Sequence, residues 1–213
     1  MRTYVSVIAS AVFTVAMFMV FRFILQGGLA QGEGRPRDPI GIPRPAVASK
    51  VYFQPFSMYP IDDAVELSRH YKQKFGLDID VLDPLPVPET AIDRSRGQAV
   101  AERLIDQIKT AEVLRRDPNA IVIGLTDVDM YIAKLDWRYA FNLRSDGHLA
   151  VVSTAVMHEG GADHDLSMRR LQKMVTKNLG ILYYGLELND DPGSVLYRDI
   201  GGNRELDRMS EDF

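Results

Sequence analysis

Residues 121–154 read IVIGLTDVDMYIAKLDWRYAFNLRSDGHLAVVST. With Ala120 in front, the run AIVIGLT is unbroken apolar and is preceded by Pro118-Asn119, the pattern of a central strand covered on both faces. Residues 139–144 and 149–153 follow as two further strands, and Ser145-Asp146-Gly147 between them is hairpin chemistry.

Upstream of this stretch, the β-branched and aromatic run at 51–56 suits a buried strand. Asp62 offers an N-cap, Val65, Leu67, Tyr71 and Phe75 recur at helical spacing, and Gly76 closes that helix. Residues 77–82, LDIDVL, predict a second strand ended by Pro84, Pro86 and Pro88, and a helix is expected over 97–115 with Val100, Leu104, Ile108 and Ala111 inward. Downstream, a long helix over 165–184 carries Met168, Leu171, Val175, Leu179 and Leu182 inward. The order βαβαβββα with a short tail helix implies an α/β domain, a mixed sheet under packed helices.

The 213 residues support one globular domain with appendages. Residues 51–213 hold 19 basic and 27 acidic groups, and a domain at −8 is a poor partner for phosphate backbones, so nucleic acid binding is not expected. The chain has no cysteine, which removes disulfides, thiolate catalysis and Cys-ligated zinc together.

Residues 4–25, YVSVIASAVFTVAMFMVFRFIL, are apolar or small apart from Arg22, and about 20 such residues suffice to cross a bilayer as a helix. Residues 1–25 are therefore expected to be a single-pass transmembrane anchor and the membrane its first partner. Gly28-Leu29-Ala30 would serve as a cleavage site under the alternative reading, a signal segment that leaves a secreted domain. Charge leaves the side of the membrane open: Arg22, Arg35, Arg37 and Arg44 favour a cytoplasmic domain, and the very short N-terminal tail favours the opposite. Residues 26–49 are dense in Gly and Pro and read as an extended spacer, with the folded domain over 50–213.

The order of elements together with three strings, IGLTDVDMY at 123–131, YAF at 139–141 and AVVST at 150–154, resembles archaemetzincin, a family of zinc protease-like proteins. The resemblance implies a metzincin-like mixed sheet whose strands lead to an active-site helix, with Ser194-Val195-Leu196-Tyr197 in place of the family's Ser/Val-Met turn beneath the metal. That family's chemistry needs HExxHxxGxxH: two His one helical turn apart aim at one zinc, and the Glu serves as general base. The helix here reads MVTKNLGILYYG at 174–185. With Gly180 set on the Gly of HExGH, the first His falls on Lys177, the Glu on Asn178 and the second His on Ile181. Gly185 resembles the turn glycine displaced by one residue, and no His follows it. The Cys of the family's structural zinc site are absent as well. No catalytic residue and no cofactor is expected at this helix, zinc included.

Other constellations carry weaker expectations. His158, Glu159, Asp163 and His164 in MHEGGADHD offer donors for a divalent ion, but the two His are six apart across a Gly pair and do not make HExxH. The plain reading of that loop is that Asp163 or Asp165 caps the next helix. Asp127 and Asp129 end the central strand and, with Lys177 and Tyr184, are candidates for the walls of a cleft; alternatively the two acids pair with Arg138 or Arg144 and hold the fold. No nucleophile elbow surrounds Ser153 or Thr154.

The expected function is a membrane-anchored, catalytically inactive archaemetzincin-like domain that acts as a binding or assembly module, with a peptide or protein as the candidate ligand of its cleft. Two alternatives stand beside it. One is a hydrolase with its metal moved to the region 158–164, and the other is a structural protein whose cleft is filled by Lys177 and Tyr184.

Overall fold

The computed structural model describes residues 45, 46, 49–135 and 137–213. The expected membrane segment at 4–25 lies outside them, as does most of the spacer. Among the described residues no helix is long and apolar enough to cross a membrane.

Strand β1 (Val51–Pro55) leads into helix α1 (Ile61–Phe75), which Gly76 ends in the left-handed conformation, its N–H returning to the carbonyls of Tyr71 and Lys72. Asp62 does not cap α1. The cap position falls on Pro60, and Asp62 and Asp63 sit in the first turn, where the helix dipole favours negative charge. Strand β2 (Ile79–Val81) returns parallel to β1.

The chain then makes two short strands, β3 (Ile92–Asp93) and β4 (Gln98–Val100), before helices α2 (Ala101–Ile108) and α3 (Glu112–Arg116). The single helix expected over 97–115 is thus corrected. Residues 98–100 pair with β3 and with β6 (Met130–Tyr131), and the Ala99 N–H donates to the Asp129 carbonyl at 2.8 Å instead of entering a helix.

Strand β5 (Ile121–Thr126) is buried along its whole length. The hairpin forms as expected: β7 (Asn142–Ser145) pairs antiparallel with β8 (Leu149–Ser153), and Asp146 and Gly147 turn the chain with φ of 56° and 73°. The main sheet has the order β2-β1-β5-β8-β7, with β7 as an antiparallel edge on a parallel core.

Alternation along β5 divides the core. Ile121, Ile123 and Leu125 face α1 and the long helix α4 (His164–Leu182), whereas Val122 faces α2. Gly124 completes the second face because a Cβ there would lie 2.6 Å from Ile108 Cδ1 and 3.1 Å from Phe56 Cε2. Helix α5 (Asn203–Arg208) closes the chain and packs its Leu206 into the α4 side.

Candidate functional site

Asp163 starts α4 by accepting the Leu166 N–H at 2.8 Å, which realises the capping reading of that loop. From Met168 to Leu182 the helix is buried on nearly every side, and it takes polar side chains inside with it: Arg170, Lys173, Thr176, Lys177 and Asn178. Each of them has partners. Thr176 meets the Tyr71 hydroxyl at 3.0 Å, and the Lys173 ammonium donates to the carbonyls of Leu206 and Asp207.

Lys177 is 3% exposed, and its Nζ donates to the backbone carbonyl of Tyr197. That carbonyl belongs to the tight turn 194–197, in which the Tyr197 N–H returns to the Ser194 carbonyl and Val195 is fully buried. The turn reaches the helix because position 180 is glycine: a Cβ there would meet Phe213 Cε1 at 2.7 Å and Leu196 Cδ2 at 3.0 Å. Gly185 then turns the chain away with a φ of 61°.

One step along the helix, Asn178 is wholly buried. Its Nδ2 donates to the Met174 carbonyl at 2.9 Å, and its Oδ1 accepts from Nη1 of Arg144 at 3.2 Å. Arg144 comes from the edge strand β7. The same Nη1 also reaches Asn142 Oδ1 at 3.3 Å, because residues two apart on a strand share a face. Burial lowers the Arg144 guanidinium, and burial followed by the nearby Arg144 charge lowers Lys177 to about 8, with Asp199 acting in the opposite direction.

A cleft of about 760 Å³ opens at this place between β7, the segment that precedes it, α4 and residues 198–201. Ile132, Trp137, Phe141, Leu143 and Met174 form its apolar wall. Arg138, Arg144, Lys177, Arg198 and Asp199 supply its charge.

Of the four residues expected along a cleft, only Lys177 lines this one. Asp129 accepts from Gln98 Nε2 at 2.8 Å under the small sheet, and Asp127 lines a separate pocket of about 390 Å³; neither pairs with Arg138 or Arg144. Tyr184 is buried in an aromatic cluster with Phe75, Tyr183 and Phe213. The open cleft therefore departs from the filled one that the structural reading expects. Ile181, the remaining position of the family motif, is a partly buried side chain packed against the core.

His158 and His164 face the same small pocket as Asp63 and Asp127, whereas Glu159 lines another pocket beside Arg170 and Asp207. Among the described residues no three His, Asp or Glu side chains converge closely enough to hold a metal ion.

Sequence reading missed Arg144 as a wall of the site. The signal was its alternation with Asn142 in a strand that flanks a turn, which puts both on the α4 face. Arg198 and Asp199 lie in irregular chain, where no period points a side chain anywhere.

No family profile matches the sequence, and no curated protein does. Solved structures do. A crystal structure of an archaemetzincin from Archaeoglobus fulgidus, complexed with malonate, is 22% identical with a TM-score of 0.63 over 77% of this chain and 94% of that one. An archaemetzincin from Methanopyrus kandleri is 26% identical with a TM-score of 0.60 over 78% and 88%. A zinc-dependent peptidase from Methanocorpusculum labreanum is 19% identical with a TM-score of 0.63 over 76% and 95%. The mixed sheet with its long buried helix is the fold that these structures share with this chain. The chain is archaemetzincin-like in fold.

At the positions set on the family motif, α4 presents Lys177, Asn178 and Ile181. Lys177 spends its ammonium on a carbonyl, the Asn178 amide is bonded at both ends, and Ile181 has no donor atom.

Proposed function

We propose that the chain is a membrane-anchored, non-catalytic archaemetzincin-like domain that binds an extended peptide or protein segment in the cleft beside β7. The membrane part of this reading rests on residues 4–25. The observation that carries the rest is the Lys177 ammonium seated on the Tyr197 carbonyl of the turn, with the cleft beside it left open.

The non-catalytic part of the reading is supported by the side chains at the motif positions. An amide at position 178 cannot take a proton from water, and a residue held by Met174 and Arg144 is not free to turn toward a substrate. Binding is supported by the edge position of β7, which leaves one side of its backbone open to an added strand, and by the mixed apolar and charged walls that a side chain needs.

The full chain in detergent, immobilised and exposed to a tryptic digest of an unfolded protein, is expected to retain a subset of peptides and release them with unchanged masses. Retained peptides recovered as fragments, with the cutting stopped by a chelator, would overturn the proposal.

A further inference from the structure

Among the described residues two cations of the cleft, Arg144 and Lys177, make no ion pair, and Asp199 is the single carboxylate in its lining. Among the described residues Arg144 bonds to protein through Nη1 alone, to two amide oxygens. Among the described residues nothing accepts from its Nε or Nη2, and those two N–H groups form the edge of a guanidinium that grips a carboxylate in parallel. Lys177 gives one hydrogen bond to a carbonyl, and among the described residues no carboxylate lies within ion-pair distance of it. Arg198 is occupied with Asp190 at 3.0 Å on the rim, and Asp199 makes no ion pair among the described residues.

A buried and a half-buried cation that line one cleft without an ion pair are costly unless an anion arrives. The apolar wall of Trp137, Phe141 and Met174 argues for an anion carried on an organic body. Asp199 offsets part of the positive charge, which suits a singly charged carboxylate group better than a doubly charged phosphate group.

We propose that the cleft recognises a carboxylate, gripped by the free edge of Arg144 and by the Lys177 ammonium, and carried either on a peptide or on a small organic acid. This rests on the reading of the cleft as a ligand site and names the group that it selects. The depressed Lys177 supports it, because a carboxylate beside that ammonium would offset the cost of its burial.

Trp137, the single tryptophan of the chain, lines the cleft and reports on its occupancy. The test follows Trp137 fluorescence of the full chain in detergent during titration with N-acetyl-tetraalanine as free acid, the same peptide as its C-terminal amide, succinate and inorganic phosphate. The free acid is expected to bind at least tenfold more tightly than the amide. Arg144→Gln and Lys177→Met are each expected to remove about tenfold of that preference, with near-UV circular dichroism unchanged and, for Lys177→Met, a raised melting temperature that separates lost recognition from lost folding.

Equal binding of acid and amide would overturn the carboxylate inference and leave the peptide-binding reading standing. Saturable succinate binding with no peptide bound would uphold the inference and overturn the peptide reading. Phosphate binding more tightly than either carboxylate would overturn the inference, and a silent Trp137 with every probe would overturn both.

Discussion

Replacement of Arg170 by alanine is expected to destabilise the folded domain by about 3 kcal/mol. Its guanidinium is 6% exposed and makes a two-point pair with Asp207, Nε to Oδ1 and Nη2 to Oδ2, both at 2.7 Å. Nη1 also donates to the Met157 carbonyl at 2.6 Å and to the Glu159 carbonyl at 3.3 Å. One side chain thus ties α4 to α5 and to the turn that follows β8. Asp207 is 38% exposed, so water recovers its charge when Arg170 is lost and the cost falls at the low end for a broken buried pair. For a domain of this size the loss corresponds to a fall of about 6–12 °C in melting temperature.

The pH dependence gives a second reading of the same variant. Arg170 first of all holds the Asp207 carboxyl below its ordinary 3.8. A carboxyl lowered by folding stabilises the fold above its unfolded value, and that contribution disappears as the pH falls through the folded value. The gap between wild type and Arg170→Ala should therefore narrow below about pH 4 in thermal or urea melts.

Lys177→Met is expected to act with the opposite sign. Folding lowers Lys177 from 10.5 to about 8, which amounts to a penalty of about 3 kcal/mol on the charged form. Below about pH 8 the lysine is charged in both folded and unfolded chains and the penalty is complete. Between pH 8 and 10.5 the folded chain gives up the proton while the unfolded chain keeps it, so the penalty fades as pH rises. Methionine fills similar volume without charge and forfeits about 1 kcal/mol at the Tyr197 carbonyl. The net expectation at pH 7 is a gain of about 2 kcal/mol in urea unfolding, shrinking toward pH 10.5. The other charged groups facing the cleft, Arg138, Arg144, Arg198 and Asp199, remain in both proteins, and the effects of Arg144 and Asp199 on Lys177 are already contained in its shift.

The parts of the fold legible in the sequence are those whose pattern is long or chemically sharp. AIVIGLT at 120–126 has no polar interruption, Gly76 stands where a helix needs a left-handed residue, and Asp146-Gly147 is a turn by composition. Strand β4 was hidden because Gln98-Ala99-Val100 runs straight into Ala101–Ile108 and lends its apolar residues to the helical period. Strands β3 and β6 have two residues each, too few for any alternation. Charge elsewhere inside α4 was invisible: Arg170 and Lys173 look like a solvated stripe until α5 covers them.

The site was legible by subtraction only. Aligning Lys177, Asn178 and Ile181 on the family motif names what the helix lacks, but nothing in the string KNLGI says that Arg144 arrives from β7 to hold Asn178. That contact depends on strand order, with β7 last in the sheet and adjacent to the helix that follows β8.

The account turns on a cation of the protein's own where archaemetzincins are expected to place a metal. Elemental analysis by plasma mass spectrometry of the full chain, purified in detergent without chelator and then offered excess zinc before desalting, tests it most directly. The account predicts zinc far below one ion per chain, with no chelator-sensitive peptidase activity in the same sample. Stoichiometric zinc that survives desalting, together with such activity, would contradict it.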